Sequence, residues 1–217
     1  MLRAQLRLLP VVLLLAALAL RWWDPTPIQL IRLWTFDTFQ RLEPRPFNAD
    51  LPVRILDIDE ASLRELGQWP WPRDRVSDLV DRLFAAGAAA VAFDIIFAEA
   101  DRTSPENILG RLPQSAELEE FRSRFTDLLP DNDVVLAETI GRYRVVTGFA
   151  LSDGTTNVAD IAVKAGIGIA GSDPRPFLHS YRGAIATLPG LTANAAGNGN
   201  INVEPDADGL IRQVTLI

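Results

Sequence analysis

The N-terminus constrains this chain more than any other feature. Arg3 and Arg7 precede an uncharged apolar run from Leu8 to Leu20, interrupted only by Pro10, and Arg21, Trp22 and Trp23 close it. Positive charge ahead of an apolar run orients the segment with its N-terminus in the cytoplasm and exports the chain beyond it. The run is shorter than the ~20 residues a span needs. Extension back past Arg7, with that side chain snorkelling, and forward to the tryptophans nearly makes up the length. Residues 1–24 are therefore expected to be an uncleaved anchor in the cytoplasmic membrane, with the chain after about residue 24 on its outer side. Ala17-Leu18-Ala19 has the A-x-A form of a cleavage site and carries a competing reading, a signal peptide. A buried soluble helix is a third reading, and the flanking arginines and tryptophans argue against it.

With 48% apolar and 23% charged residues among 217, the remainder has a globular composition. The absence of cysteine excludes disulfides, thiolate metal sites and a thiol nucleophile. A net charge of −7 argues against nucleic acid as a partner. His179 is the only histidine, so no multi-histidine metal site or His-based triad is expected, and it reads as a loop residue. Gly166-Ile-Gly168-Ile-Ala-Gly171 matches G-x-G-x-x-G, but Pro174 and Pro176 follow where a helix should open, so a dinucleotide site is not expected.

Within 25–46, Ile28, Ile31, Trp34, Phe39 and Leu42 fall near helical spacing and predict an amphipathic juxtamembrane helix over 28–42, ended by Pro44 and Pro46. The exported domain is expected over 47–217. Val53–Ile58 reads as a strand, followed by a short helix at about 60–66 that Gly67 stops. Trp69-Pro70-Trp71-Pro72 cannot be helix interior and reads as a rigid extended loop. Asp74 is the expected N-cap of a helix with Val76, Leu79, Val80, Leu83 and Phe84 on one face and Gly87 at its end. Ala88–Phe97 then reads as a strand buried on both faces, making 53–97 a parallel βαβ unit.

Ser104-Pro105-Glu106 opens a short helix, and Leu118, Phe121, Phe125 and Leu128 mark another that ends at Pro130. Val134–Ile140 and Val145–Leu151 read as strands around a Gly141 turn, about 157–170 as strand-like, and 189–200 as loop. Asn202-Val203 and Leu210–Ile217 read as strands joined by a turn at Asp208-Gly209. The expected fold class is α/β: a central mixed sheet with a parallel βαβ unit flanked by helices, antiparallel C-terminal strands, and a transmembrane helix in front. Ending on Ile217, an expected strand residue with no polar tail, the chain reads as a fragment of something longer.

Three segments together resemble the CHASE2 family of bacterial extracytoplasmic sensor domains. They are Val53 through Asp57, Asp59, Glu60, Ser62 and Leu63 to Gly67-Gln-Trp69-Pro70-Trp71-Pro72-Arg73; Leu83 through Gly87 to Phe93-Asp94-Ile-Ile-Phe97; and Asn202 through Asp206, Asp208 and Gly209 to Arg212. Phe36-Asp37 and Arg41 are similar too. The resemblance runs from about 30 to 217 and is loosest over 100–180. It implies an exported sensory input domain whose downstream membrane helices lead to a cytoplasmic adenylate or guanylate cyclase, histidine kinase or serine/threonine kinase. The chain itself is expected to catalyse nothing and to work as a homodimer whose arrangement a small ligand or periplasmic partner shifts. An anchored binding protein and an exported hydrolase are the alternatives.

Asp57 and Asp59 share one face of the expected first strand, and Asp59 and Asp94 fall near the carboxyl ends of two expected parallel strands, where open α/β sheets bind ligands. Converging carboxylates there suit a divalent cation or a basic ligand; no other cofactor is expected. Arg73 is the alternative partner, making the cluster a structural network. Trp69 and Trp71 suit a ligand wall, a core edge or a dimer surface. Asp206, Asp208 and Arg212 are expected to fix a hairpin, with Ca²⁺ binding as the sharper alternative.

Overall fold

The structure is a computed structural model that describes residues 2–214 apart from 47, 112, 114–118, 120–123, 126, 127, 155–160, 162, 165, 167, 179 and 213. Most of the expected helix over 118–128, much of the expected strand over 157–170, His179 and the end of the expected terminal strand lie outside the described residues. The chain forms two compact units, a terminal one of Met1–Leu56 with Val203–Leu216 and a central one of Asp57–Asn202.

In the terminal unit, α1 (Leu2–Trp23) contains Pro10, and α2 (Thr26–Leu42) follows a sharp bend. Among the described residues no single helix is long and apolar enough to cross a membrane; Pro10–Trp23 and Thr26–Leu42 meet the length and composition of a span only as a pair bent by 84°. The corner is built by Asp24, whose φ is +40°. Its carboxylate accepts two bonds from the Arg32 guanidinium at 2.9 and 3.1 Å, and its carbonyl accepts one from Gln29 at 2.7 Å. Pro25 and Pro27 then open α2, where an absent N–H costs nothing.

The expected strand 53–58 is not formed. Val53 is 72% and Ile55 93% exposed, and no ladder pairs with them among the described residues. The Arg54 guanidinium instead occupies the carbonyls of Ala49, Leu51 and Val53, acceptors a neighbouring strand would need.

The central unit holds α3 (Glu60–Leu66), α4 (Arg73–Ala85), β1 (Val91–Ala92), α5 (Pro105–Gly110), α6 (Asn132–Arg142), β2 (Val145–Ser152), β3 (Gly183–Ala186), α7 (Pro189–Asn194) and β4 (Gly197–Asn200). A short 3₁₀ turn spans Arg175–Phe177. The sheet is mixed, as expected, but its pairings differ. β2 is central: β1 pairs parallel with Val145 and Val146, β4 parallel with Val146–Phe149, and β3 antiparallel with Phe149–Ser152. The parallel crossover thus runs from β1 to β2 rather than from 53–58 to 91–97. β1 is two residues long, and its exit alternates in exposure instead of being buried on both faces.

Val134–Ile140 is helix, not strand. Its β-branched residues suggest a strand, but Asp131 caps the segment by accepting the Asp133 N–H, and Leu136, Thr139 and Ile140 are the buried positions, a helical spacing. Gly141 ends inside that helix; a methyl group there would stand 3.1 Å from Asn194 Oδ1. The stretch 189–200 is also ordered, with Pro189 opening α7 and the small residues of β4 adding a strand. The segments flanking Asp208-Gly209 make the turn but no ladder among the described residues.

The core joins Val76 and Val80 of α4, Phe97, Leu136 and Ile140 of α6, Val145, and Leu191 with Ala195. Between α4 and α6 the buried hydroxyls of Ser77 and Thr139 satisfy each other at 2.6 Å. Gly148 is dictated by space, because a Cβ there would lie 2.8 Å from the Ile95 carbonyl oxygen. That close approach lets Thr187 Oγ1 donate to the Gly148 carbonyl while accepting the Phe97 N–H. Leu136→Ala is expected to cost about 2–5 kcal/mol and Gly148→Ala about 1–3 kcal/mol, read by denaturant unfolding of the full chain. A neutral Gly148→Ala would mean that the 95–97 segment yields to β2.

Candidate functional site

Two side-chain networks dominate, one in each unit. In the terminal unit the turn Asp206–Leu210 closes through Asp206 N–H to the Leu210 carbonyl at 2.9 Å and Gly209 N–H to the Asp206 carbonyl at 2.8 Å. It presents Asp206 and Asp208 to Arg212, whose side chain is 8% exposed. Arg212 grips Asp37 of α2 with two parallel bonds, Nε to Oδ1 at 2.8 Å and Nη2 to Oδ2 at 2.7 Å. Nη1 donates to Asp206 at 3.0 Å and to Asp208 at 2.8 Å, and Nη2 donates to the other Asp208 oxygen at 2.7 Å. All five guanidinium donors are used. These bonds raise the Arg212 pKa further and hold the Asp208 carboxyl down at about 2. Asp206, Asp208 and Arg212 thus meet across the expected turn, which no strand ladder flanks among the described residues, and Arg212 also reaches α2. The Ca²⁺ alternative is displaced, because the guanidinium already supplies the positive charge to these carboxylates.

In the central unit the organiser is Asp101, 5% exposed. It accepts the Arg73 N–H at 2.7 Å, so it caps α4 from 28 residues away. Asp74, the expected cap, lies inside the first turn instead, and its carboxylate accepts the neighbouring Arg75 N–H. Asp101 also accepts from Thr103 N–H and Oγ1 and from Asn132 Nδ2. Burial alone would raise its pKa; the accepted bonds outweigh burial and lower it. Asp133 receives the Asp101 N–H at 2.8 Å, and there burial prevails and raises the pKa. Ser104, fully buried, donates to Asp131.

Arg73 does not serve Asp57, Asp59 or Asp94. Its Nε stands 3.4 Å from Asp133 Oδ1, its Nη2 reaches the Glu99 carbonyl, and its guanidinium lies 4.4 Å from the Phe97 ring centroid. Nε and Asp133 Oδ1 are both buried and complete no hydrogen bond at that distance. Asp59 is the N-cap of α3, accepting both the N–H and Oγ of Ser62, which lowers its pKa. Asp57 and Asp94 are exposed. Among the described residues no three His, Cys, Asp or Glu side chains gather as a cation site. The expected convergence of Asp57, Asp59 and Asp94 presumed two paired strands, and the first of them is not formed. Trp69 and Trp71 meet edge to face at 5.6 Å; Trp71 is buried with its indole N–H on the Gly67 carbonyl, and Trp69 packs on the core. They form a core edge.

Residues 11–217 match the family model of the CHASE2 domain. The chain belongs to the CHASE2 family. CHASE2 domains are extracytoplasmic sensory domains, the input side of signalling receptors. No curated protein and no solved structure matches the chain. Among the residues that organise this CHASE2 domain, sequence reasoning about sites missed Asp101, Asp131 and Asp133, whose partners are distant in sequence. It met Asp37 only as part of the family resemblance.

Asp101→Ala is expected to cost about 2–4 kcal/mol, because it strands buried donors at the start of α4. Urea unfolding of the full chain measures it, and a loss under about 1 kcal/mol would mean the donors find water. The Asp208 contribution has a defined sign. Its folded pKa of about 2 lies below the unfolded value of ~3.9. Its stabilisation is therefore present above about pH 4 and is lost as pH falls towards 2. Melting temperature followed across that window should fall less steeply in Asp208→Asn than in the native chain.

Proposed function

We propose that this CHASE2 domain is the periplasmic input module of a bacterial transmembrane receptor, anchored by α1 with its N-terminus in the cytoplasm. The receptor's output is an adenylate or guanylate cyclase or a protein kinase, and the module works as a homodimer that responds to a small ligand or a periplasmic partner. One observation supports this reading above the others. Arg212 bonds the helix that follows the apolar N-terminal segment to the turn preceding the last residues of the chain. A rearrangement of the domain that opens or shifts this contact therefore moves the two segments relative to each other. A ligand drives such a shift only by binding one arrangement more tightly.

The test begins in the native gene. The reading frame is expected to continue past Ile217 into further apolar spans and a catalytic domain; a stop codon there leaves an anchored binding protein. In that full receptor, Arg212→Ala should keep the central unit folded and remove stimulus dependence, so that output with and without stimulus becomes equal. An unchanged stimulus response in a verified Arg212→Ala receptor would remove the coupling role.

A further inference from the structure

The helix α2 buries no residue completely; its half-buried positions Gln29, Leu33 and Asp37 lie along one side, and half-buried Thr38 falls on the other. The opposite side carries Ile28, Ile31, Phe39 and Leu42, which are 40%, 60%, 66% and 75% exposed, with Trp34 at its edge, 68% exposed. Polar groups on this side are already satisfied. Thr35 Oγ1 donates to the Ile31 carbonyl at 2.7 Å and Thr38 Oγ1 to the Trp34 carbonyl at 2.8 Å, so both hydroxyl protons are taken up within the helix. Arg32 is neutralised by its paired bonds to Asp24.

The corner that precedes α2 decides what covers this face. α1 and α2 meet at 84°, and the corner is held by Asp24, Gln29 and Arg32. A helix turned at right angles to a membrane anchor runs along the membrane surface. At the corner, Trp22 and Trp23 are 93% and 83% exposed, and these are side chains that settle at the lipid headgroup level.

We infer that α2 lies in the plane of the membrane as an interfacial helix, with the Ile28, Ile31, Phe39 and Leu42 side immersed in the headgroup–acyl boundary of a lipid bilayer. The inference rests on the anchor reading of α1. An amphipathic helix in this position sinks its apolar face about 5–10 Å. The Arg212–Asp37 contact then holds the remainder of the terminal unit against a helix that floats on lipid. Lipid packing and lateral pressure thereby act on the same contact that a ligand shifts.

The native chain has no cysteine, so single spin labels report single positions. The full chain is reconstituted in vesicles of phosphatidylethanolamine and phosphatidylglycerol, with labels placed one at a time through Leu15→Cys, Ile31→Cys, Leu42→Cys and Gln40→Cys. Collision with oxygen is compared with collision with a water-soluble nickel chelate. Expected are a deep, oxygen-dominated Leu15 label, Ile31 and Leu42 labels at one shared shallow depth with oxygen favoured several-fold, and a nickel-dominated Gln40 label. Ile31 and Leu42 labels in water beside a lipid-buried Leu15 label would overturn the interfacial helix and leave the anchor intact. A steady change of depth from Ile31 to Leu42 would overturn it in favour of a crossing helix. Spin–spin broadening at Ile31 and Leu42 without oxygen preference would overturn it in favour of a second copy of the chain. A Leu15 label in water would overturn anchor and inference together.

Discussion

A guanidinium withdrawn from water must recover its hydrogen bonds elsewhere, and Arg212 recovers all five from three carboxylates. The terminal unit depends on that exchange. Its helix α2 has no buried residue, so apolar packing does not decide where it sits. Position is set instead by two parallel bonds to Asp37, a geometry that fixes direction as well as distance. Three carboxylates around one guanidinium leave two negative charges in surplus. Without Arg212 the turn and the helix would repel each other, so the same residues that bind them also provide the force that would part them.

The central unit solves the inverse problem, a carboxylate enclosed by donors. Asp101 sits where the first turns of α4 and α6 come together, and Asp131 and Asp133 stand beside it. Negative charge is favoured at helix N-termini, where N–H groups lack intrahelical partners. The cluster therefore sets how α4 and α6 approach, and the core of Val76, Val80, Leu136 and Ile140 fills the space between them. One part stays slack, because Arg73 Nε and Asp133 Oδ1 are buried 3.4 Å apart without a bond.

Elements with local signals were legible in the sequence. Gly67 after α3, Gly87 after α4 and Ser104-Pro105 at the start of α5 all mark real boundaries. Gly87, at φ +96°, ends α4 as a helix-stop glycine does. α6 was illegible to a composition argument, because Val134, Val135, Thr139 and Ile140 suit a strand, and the Asp131 cap together with tertiary burial selects the helix. The first expected strand failed because a strand is a property of two segments, and hydrophobicity in one says nothing of its neighbour. Site reasoning met the same boundary. Asp206, Asp208 and Arg212 lie within seven residues and declared themselves, whereas Asp37 is 175 residues from Arg212 and Asp101 is 28 from Arg73.

β2 has three neighbours, which together engage its whole length, with Val146 shared by β1 and β4 and Phe149 by β4 and β3. Sliding it by one residue would break all of these ladders together and turn every side chain to the wrong face. It would also carry Gly148 away from the Ile95 carbonyl, where the backbone has no room for a side chain. β2 is thus a ruler for the unit. A residue inserted or deleted between Val145 and Ser152 would therefore be felt by all three neighbours at once, whereas one in a connecting segment would leave the ladders standing.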